Sequence, residues 1–262
     1  VWYARGGTNR LVAGMSALFE RLGGTIRLGD PVVRIETRGD RATAVVTKSG
    51  FRAEASVVAS NADLLHSYRD LLDHPRGSRE GARLARKSWS PSLFVLHLGV
   101  RGRFPDIPHH MILFGPRYRG LLDDIYRHGR LADDFSLYLH HPSASDPTVA
   151  PDGHSSLYIL APVPHLGHAP LDWDVEGPRL AARMIAEVER RLIPDFGDRI
   201  VTSLAYAPPD FERDLAAHHG SAFSLTPSLT QSAWFRGHNR DDRISNLYFT
   251  GAGTHPGAGI PG

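Results

Sequence analysis

The sequence predicts an α/β fold that carries an inserted α+β region. Short β-branched runs bounded by glycine turns crowd residues 25–59 and return at 247–250. Two amphipathic helical patterns stand out, at 8–22 and at 176–193. Between 92 and 206, strand and helix patterns mix with no internal repeat and no low-complexity segment.

Thr8 is placed to cap the first helix, in which Leu11, Val12, Met15, Leu18, Phe19 and Leu22 make one apolar stripe and Gly23-Gly24 supplies the stop. Strands are expected at 25–28, 32–37, 42–47 and 51–55, with Gly39-Asp40 and Ser49-Gly50 as turns between them. A buried-strand pattern at 56–59 ends in Ser60-Asn61-Ala62. A helix over 63–72 follows, with Leu64, Leu65, Tyr68 and Leu72 on one side. Residues 92–100, 111–114, 135–141 and 157–161 read as strands, and 118–126 as a helix. The prolines of LAPVPHLGHAP, 160–170, rule out a central strand there. The helix over 176–193 opens at Gly177-Pro178, repeats Leu180, Met184, Val188 and Leu192 every fourth residue, and stops at Pro194. Strand 200–206 leads into a loop-rich stretch that ends in a short buried-strand pattern at 247–250.

With 262 residues, 41% hydrophobic and 22% charged, the chain has the balance of a globular protein of one large or two modest domains. The absence of cysteine excludes a disulfide framework, a thiolate nucleophile and a cysteine metal site. A net charge of +2 is too thin for a nucleic-acid surface. Basic residues cluster once, in RGSREGARLARK at 76–87. A helix there sets Arg79, Arg83 and Arg86 on one face, open both to a solvated role and to an anionic membrane surface. No apolar run approaches the ~20 residues of a spanning helix, and no signal peptide is visible. The chain opens on Val1 and closes on a glycine-rich loop, as the interior of a longer chain would.

Fifteen histidines include the adjacent pairs His109-His110, His140-His141 and His218-His219. Neighbours on a strand point to opposite faces and no H-E-x-x-H occurs, so no metal site is expected. Nor is there a G-x-S-x-G for a serine hydrolase.

The last seventeen residues, NLYFTGAGTHPGAGIPG, run a buried strand into Gly251-Ala252-Gly253. Glycines at such a point let backbone amides approach an anionic or planar ligand. The spacing is not a dinucleotide fingerprint, because Pro256 stands where the third glycine belongs, and no Gly-Lys-Ser/Thr occurs. By spacing alone this is a glycine-rich turn. The whole string is narrower. Asn246, Tyr248, Gly251, Ala252, Gly253, Thr254, His255, Pro256, Gly257, Ala258, Gly259 and Ile260 resemble, position by position, the signature of the bacterial-type phytoene dehydrogenases. WYARGGTNRLVAGM, VASNADLLHSYRDLL, SLFVLHLGV, FGPRYRGLLDDIY, DDFSLYLHHPS, LAPVPHLG and HGSAFSLTPSLTQSAWFR resemble the same family in the same order.

The resemblance implies an amine-oxidase-like two-domain FAD flavoprotein, here incomplete. Residues 1–72 would be part of the FAD-binding domain, 73–235 the substrate-binding domain, and 236–262 a return to the FAD-binding domain. The family's N-terminal FAD fingerprint and a C-terminal helix would lie outside this chain. The implied activity is desaturation of phytoene toward lycopene by hydride transfer to flavin, with an apolar C40 carotenoid as substrate. By the same resemblance, Gly251, Ala252 and Gly253 line the ribityl and pyrophosphate region. Gly259 and Ile260 fall in the turn near the isoalloxazine, and the backbone of Val32 faces the adenine. Arg117 and Arg119 are candidates for a cation facing flavin or substrate. His255, with Asp133 and Asp134, is a candidate for proton transfer, and Arg5 precedes a Gly6-Gly7 pair near the active site. Phe94, Leu96, Leu98, Leu137, Tyr138 and Leu139 are candidates for an apolar substrate wall, or else plain core. The implied location is peripheral, on the cytoplasmic side of a membrane, with neither nucleic acid nor metal as partner. A related flavoprotein acting on another carotenoid (isomerase, saturase or later-step desaturase) and a non-catalytic fragment unable to hold FAD are the alternatives.

Overall fold

The structure, a computed structural model, describes residues 3–259. In chain order the elements are α1 (Thr8–Arg21), β1 (Val32–Thr37), β2 (Ala42–Thr47), β3 (Arg52–Glu54), β4 (Val58–Ser60), α2 (Leu64–His66), β5 (Leu72–Asp73), α3 (Pro75–Ala85), β6 (Ser92–Arg101), β7 (His110–Leu113), α4 (Tyr118–Asp123), β8 (Leu137–His140), β9 (His154–Val163), α5 (Trp173–Arg191), α6 (Phe196–Arg199), β10 (Ile200–Tyr206), α7 (Pro208–Leu215) and β11 (Leu247–Phe249). α2 widens into a π turn at Ser67–Leu71 and α4 into another at Asp124–His128. The chain packs as two units. One holds residues 1–26, 93–164 and 168–207, and the other 27–92, 165–167 and 208–262. These bounds differ from the sequence division at 72 and 235. Leu84, Trp89 and Leu225 share a core with Val58, Leu65 and Leu247, which draws α3 and the stretch after α7 into the unit of β4 and β11.

The first unit is built on a five-stranded sheet in the order β10-β6-β9-β8-β7. Alternation puts Phe94, Leu96, Leu98, Leu137 and Leu139 on buried positions, each at most 3% exposed. Phe94 stacks on Trp173 of α5, ring centroids 5.9 Å apart. Those five residues are therefore packed core, whereas Tyr138 points to the other face. That face carries a row of rings: His110 opposite His140 in register, His140 6.2 Å from Tyr158, and Tyr158 5.1 Å from His97.

Four local expectations are corrected. Gly7, not Thr8, occupies the cap position of α1, at φ 87°, and the apolar stripe is exposed throughout, from Leu18 at 47% to Leu22 at 79%. Residues 25–28 form no strand; no neighbouring strand pairs with them, and the unit boundary falls at 26/27. β9 is a central strand that runs through Pro162. The proline is tolerated because pairing with β8 extends to Leu160 and no further among the described residues, so it falls past that ladder's end. α5 starts at Trp173, capped by the Asp172 carboxylate on the Asp174 N–H, and Pro178 lies inside it.

The second unit contains a four-stranded sheet, β3-β2-β1-β5, and a parallel pair, β11-β4. Asp30 fastens the β2–β3 turn by accepting from Ser49 and Thr47, which holds its carboxyl down at about 2. Asn246 joins the two sheets. Its Oδ1 accepts from the Ala42 N–H at 2.9 Å, and its Nδ2 donates to Ala42 O and Ser56 O, both at 2.8 Å. Asp241 is a second junction, 4% exposed, accepting from the Tyr68 hydroxyl, the Arg76 guanidinium and the N–H groups of Arg243 and Ile244.

Candidate functional site

The parallel pair β4–β11 sets two chain ends side by side. Ser60-Asn61-Ala62 leaves β4, and Thr250 to Gly253 leaves β11, with the Thr250 N–H donating to Ser60 O at 3.0 Å. Ligands of open α/β sheets bind at such carboxyl ends of parallel strands. Gly251 sits at φ 114°, and a Cβ there would stand 2.9 Å from the Asn61 amide nitrogen, which itself donates to Thr250 O at 3.1 Å. Only glycine fits that conformation and that gap. Gly253 is tight for another reason: a Cβ would meet Leu64 Cβ at 2.8 Å and Ser224 Oγ at 3.0 Å.

The loop borders a cleft of about 310 Å³ that is also lined by Phe211 and Leu215 of α7 and by Ser221, Ala222 and Ser224. Among the described residues, the backbone N–H groups of Gly251, Ala252 and Gly253 make no hydrogen bond. The hydroxyls of Ser221 and Ser224 are buried and have no partner either. Five polar groups thus stand unpaired around one cleft; Gly251 is exposed and Ala252 half-buried, while Gly253, Ser221 and Ser224 are buried, where unpaired polar groups are otherwise rare. They fit an oxygen-rich ligand, such as a ribityl chain or a phosphate. The volume suits one moiety of FAD rather than all of it.

Two residues that the sequence did not single out hold this arrangement. Arg236, 3% exposed, donates Nε to Ala252 O at 2.7 Å, Nη1 to Gln231 O at 3.2 Å, and Nη2 to Phe223 O and Leu225 O at 2.9 and 3.1 Å. Burial lowers its pKa. Asp63 caps α2 by accepting from the N–H groups of Leu65 and His66. Loss of water raises its pKa, against those two bonds, which lower it. Asp63 had a legible signal as a helix cap. Arg236 had none, because nothing local marks a cation that bonds only carbonyls.

The remaining sequence candidates are dispersed. Val32 opens β1, in a different sheet from the glycine loop. His255 is exposed and donates its N–H to Gly237 O at 2.6 Å; it lines a separate cavity of about 550 Å³ with Trp234 and His238. Gly259 is exposed at φ 117°, and Ile260 lies outside the described residues. Arg117 occupies the cap position of α4 and donates to Asp124 at 3.1 Å and to Asp134, so its charge is shared by two carboxylates. Hydrogen bonding to Arg117 lowers the Asp134 pKa, which makes that carboxylate a weak base. Asp133 pairs with Arg183 at 3.1 Å. Arg119 is exposed and, among the described residues, forms no ion pair. Arg5 is exposed, and the Gly6 N–H beside it donates to the Asp146 carboxylate.

Comparison with known proteins agrees with this architecture. The chain is 58% identical to a phytoene desaturase (lycopene-forming) of a Paracoccus species and 52% identical to one of Pantoea ananas, across all of its own length and 52% and 54% of theirs. A neurosporene-forming phytoene desaturase of Cereibacter sphaeroides is 43% identical. The chain thus spans about half the length of the curated relatives it matches. Among solved structures, an oxidoreductase of Methanosarcina mazei matches with a TM-score of 0.62 at 15% identity, over 95% of this chain and 50% of that one. Wild-type putrescine oxidase matches at 0.57 and 15%, over 94% and 47%. Both share the amine-oxidase-like fold. The family profile for flavin-containing amine oxidoreductases matches residues 1–262, and the chain belongs to that family.

Proposed function

We propose that the chain is part of an FAD-dependent carotenoid desaturase that dehydrogenates phytoene toward lycopene, an oxidoreductase acting on CH–CH groups. The observation that carries the reading is the glycine cleft, with three free loop amides and two unpaired serine hydroxyls beside the ends of parallel strands. The relatives at 52–58% identity, named as lycopene-forming phytoene desaturases, support the substrate. When bound, flavin supplies a two-electron acceptor for the hydrogens removed from saturated carbons beside existing double bonds. The chain's own contribution is positional. Gly251, Ala252 and Gly253 offer amides to cofactor oxygens, Ser221 and Ser224 offer hydroxyls, and Arg236 fixes the loop from beneath. Of the two arginines read from sequence, Arg119 has the charge free to face flavin or substrate, since Arg117 is committed to Asp124 and Asp134.

The test is expression of the full-length protein in cells that make phytoene, with the pigment identified by absorption spectrum. Lycopene is the expected product, from an enzyme that purifies yellow. Colourless cells holding soluble, flavin-loaded enzyme would overturn the substrate, and protein that neither carries nor takes up flavin would overturn the whole reading.

Within the same proposal the protein works peripherally on the cytoplasmic side of a membrane, because a C40 hydrocarbon partitions into bilayers. No helix among the described residues is long and apolar enough to cross one. Arg79, Arg83 and Arg86 are exposed on and just after α3, while Leu84 points into the core. Each surface arginine contributes about 1 kcal/mol near anionic lipid. Reversing all three to glutamate is expected to weaken binding to anionic vesicles by roughly 100-fold or more. Unchanged sedimentation would remove the assignment.

A further inference from the structure

The paired histidines were expected to diverge, as neighbours on a strand do. His140 and His141 do, His141 turning to Ile107 O and Phe104, but His109 and His110 do not, because His109 precedes β7 and only His110 lies on it. Register sets His110 opposite His140 of β8, and the His141 N–H donates to His109 O at 2.8 Å, which ties the two segments together. The rings of His109, His110 and His140 therefore converge, with centroids 4.5 to 5.2 Å apart.

We propose that His109, His110 and His140 form a binding site for a divalent transition metal of the zinc class, independent of the flavin chemistry proposed above. The three ligand nitrogens all lie within 4.8 Å of one another, and Nε2 of His109 is 2.9 Å from Nε2 of His140. A tetrahedral ion with bonds of about 2.0–2.1 Å places its nitrogens about 3.3 Å apart, a spacing between those values, so small rotations of the side chains complete the site. Two outer contacts decide which nitrogens face inward. Nδ1 of His109 meets the Ser145 hydroxyl at 2.6 Å, and Nδ1 of His110 meets the Tyr138 hydroxyl at 2.7 Å. Both Nδ1 atoms are thereby engaged, which leaves Nε2 of each ring as the ligand atom, that of His109 now in a hydrogen bond with Nε2 of His140 that an ion would replace. Tyr3 packs edge-on against His109 and His140, at 4.7 and 6.3 Å between centroids, and walls one side. A donor set made only of imidazole selects Zn²⁺, Ni²⁺, Cu²⁺ or Co²⁺ over the hard ions Mg²⁺ and Ca²⁺. Three protein ligands leave a fourth position for water or a small anion.

The test uses the tag-free full-length protein, stripped with chelator and titrated with Zn²⁺ against a chromogenic competitor. One equivalent is expected to bind with a Kd of about 1 µM or tighter, and Co²⁺ in its place to give the visible absorption of a tetrahedral site. His140→Gln is expected to weaken binding by at least about 100-fold, and Tyr138→Phe, which removes only the hydroxyl behind His110, by roughly tenfold. His97→Gln, on the same sheet face but outside the triad, is expected to leave binding unchanged. Failure of the unaltered protein to take up one equivalent overturns the site, as does undiminished binding in a folded His140→Gln protein.

Discussion

Arg236 is a buried cation whose four described acceptors are all backbone carbonyls, drawn from residues 223, 225, 231 and 252. A guanidinium presents five donors in a rigid planar fork, and that shape is what lets one side chain serve four carbonyls on separate turns. Lysine keeps the charge but loses the fork. Arg236→Lys is therefore expected to destabilise the protein by about 3 kcal/mol, nearly as much as Arg236→Ala, because each strands buried carbonyls without donors. The urea midpoint measures this, and a lysine variant within about 1 kcal/mol of the parent would show that charge alone suffices. Local sequence signals capture side chains that satisfy their own neighbourhood. Asp63, two and three residues from the amides it caps, was readable for that reason; Arg236, reaching back 13 residues to Phe223, was not.

At the scale of elements, α5 shows how a correct period can carry a wrong boundary. Leu180, Met184 and Val188 recur every fourth residue and are all buried, as their spacing requires. Gly177-Pro178 reads as a helix opening because proline is at home in a first turn. The helix instead starts at Trp173, since Asp172 caps it and Trp173 gains a stacked partner in Phe94. Pro178 is thus the sixth residue of the helix, at an exposed position where its ring blocks a bond to the Asp174 carbonyl. Its removal exposes no core. Pro178→Ala is expected to raise stability by roughly 1 kcal/mol, less than the ~3 kcal/mol of a mid-helix proline, because Gly177 already relieves the clash on the residue before it. A lower melting temperature in this variant would mean that the proline sets a bend the packing needs. The same confusion of rule with context hid β9, whose Pro162 lies past the ladder that would have excluded it.

For the molecule as a whole, the sequence carried the hairpins of β1–β3 almost to the residue, because turn and strand are neighbours there. It did not carry the pairing of β11 with β4, which joins Leu247 to Val58, nor the separation of α1 from the unit of β1. Long-range packing also places the histidines that govern response to acid. His218 packs against Trp89 and His219, at 4.7 and 3.8 Å between centroids. Burial pushes it down to about 4; His219, Arg69 and His165 add to this, and Asp70 opposes it. Its stabilising contribution is whole above the unfolded value near 6.5 and is lost as pH falls toward 4, since the unfolded chain takes the proton first. Asp241 runs the same way at lower pH. Although burial raises its pKa, the bonds from Ile244, Arg76, Tyr68 and Arg243 bring it below the usual carboxylate range, so its contribution persists until that lower range is reached. Between pH 7 and 5 the loss therefore falls on histidine. With chelator present, stability is expected to drop over this interval, with about 1 kcal/mol traceable to His218 after allowance for its partial exposure. His218→Gln is expected to flatten that part of the slope and Asp241→Asn to leave it unchanged, while lowering stability throughout. Parallel slopes for the parent and the His218→Gln protein would place the titrating group elsewhere.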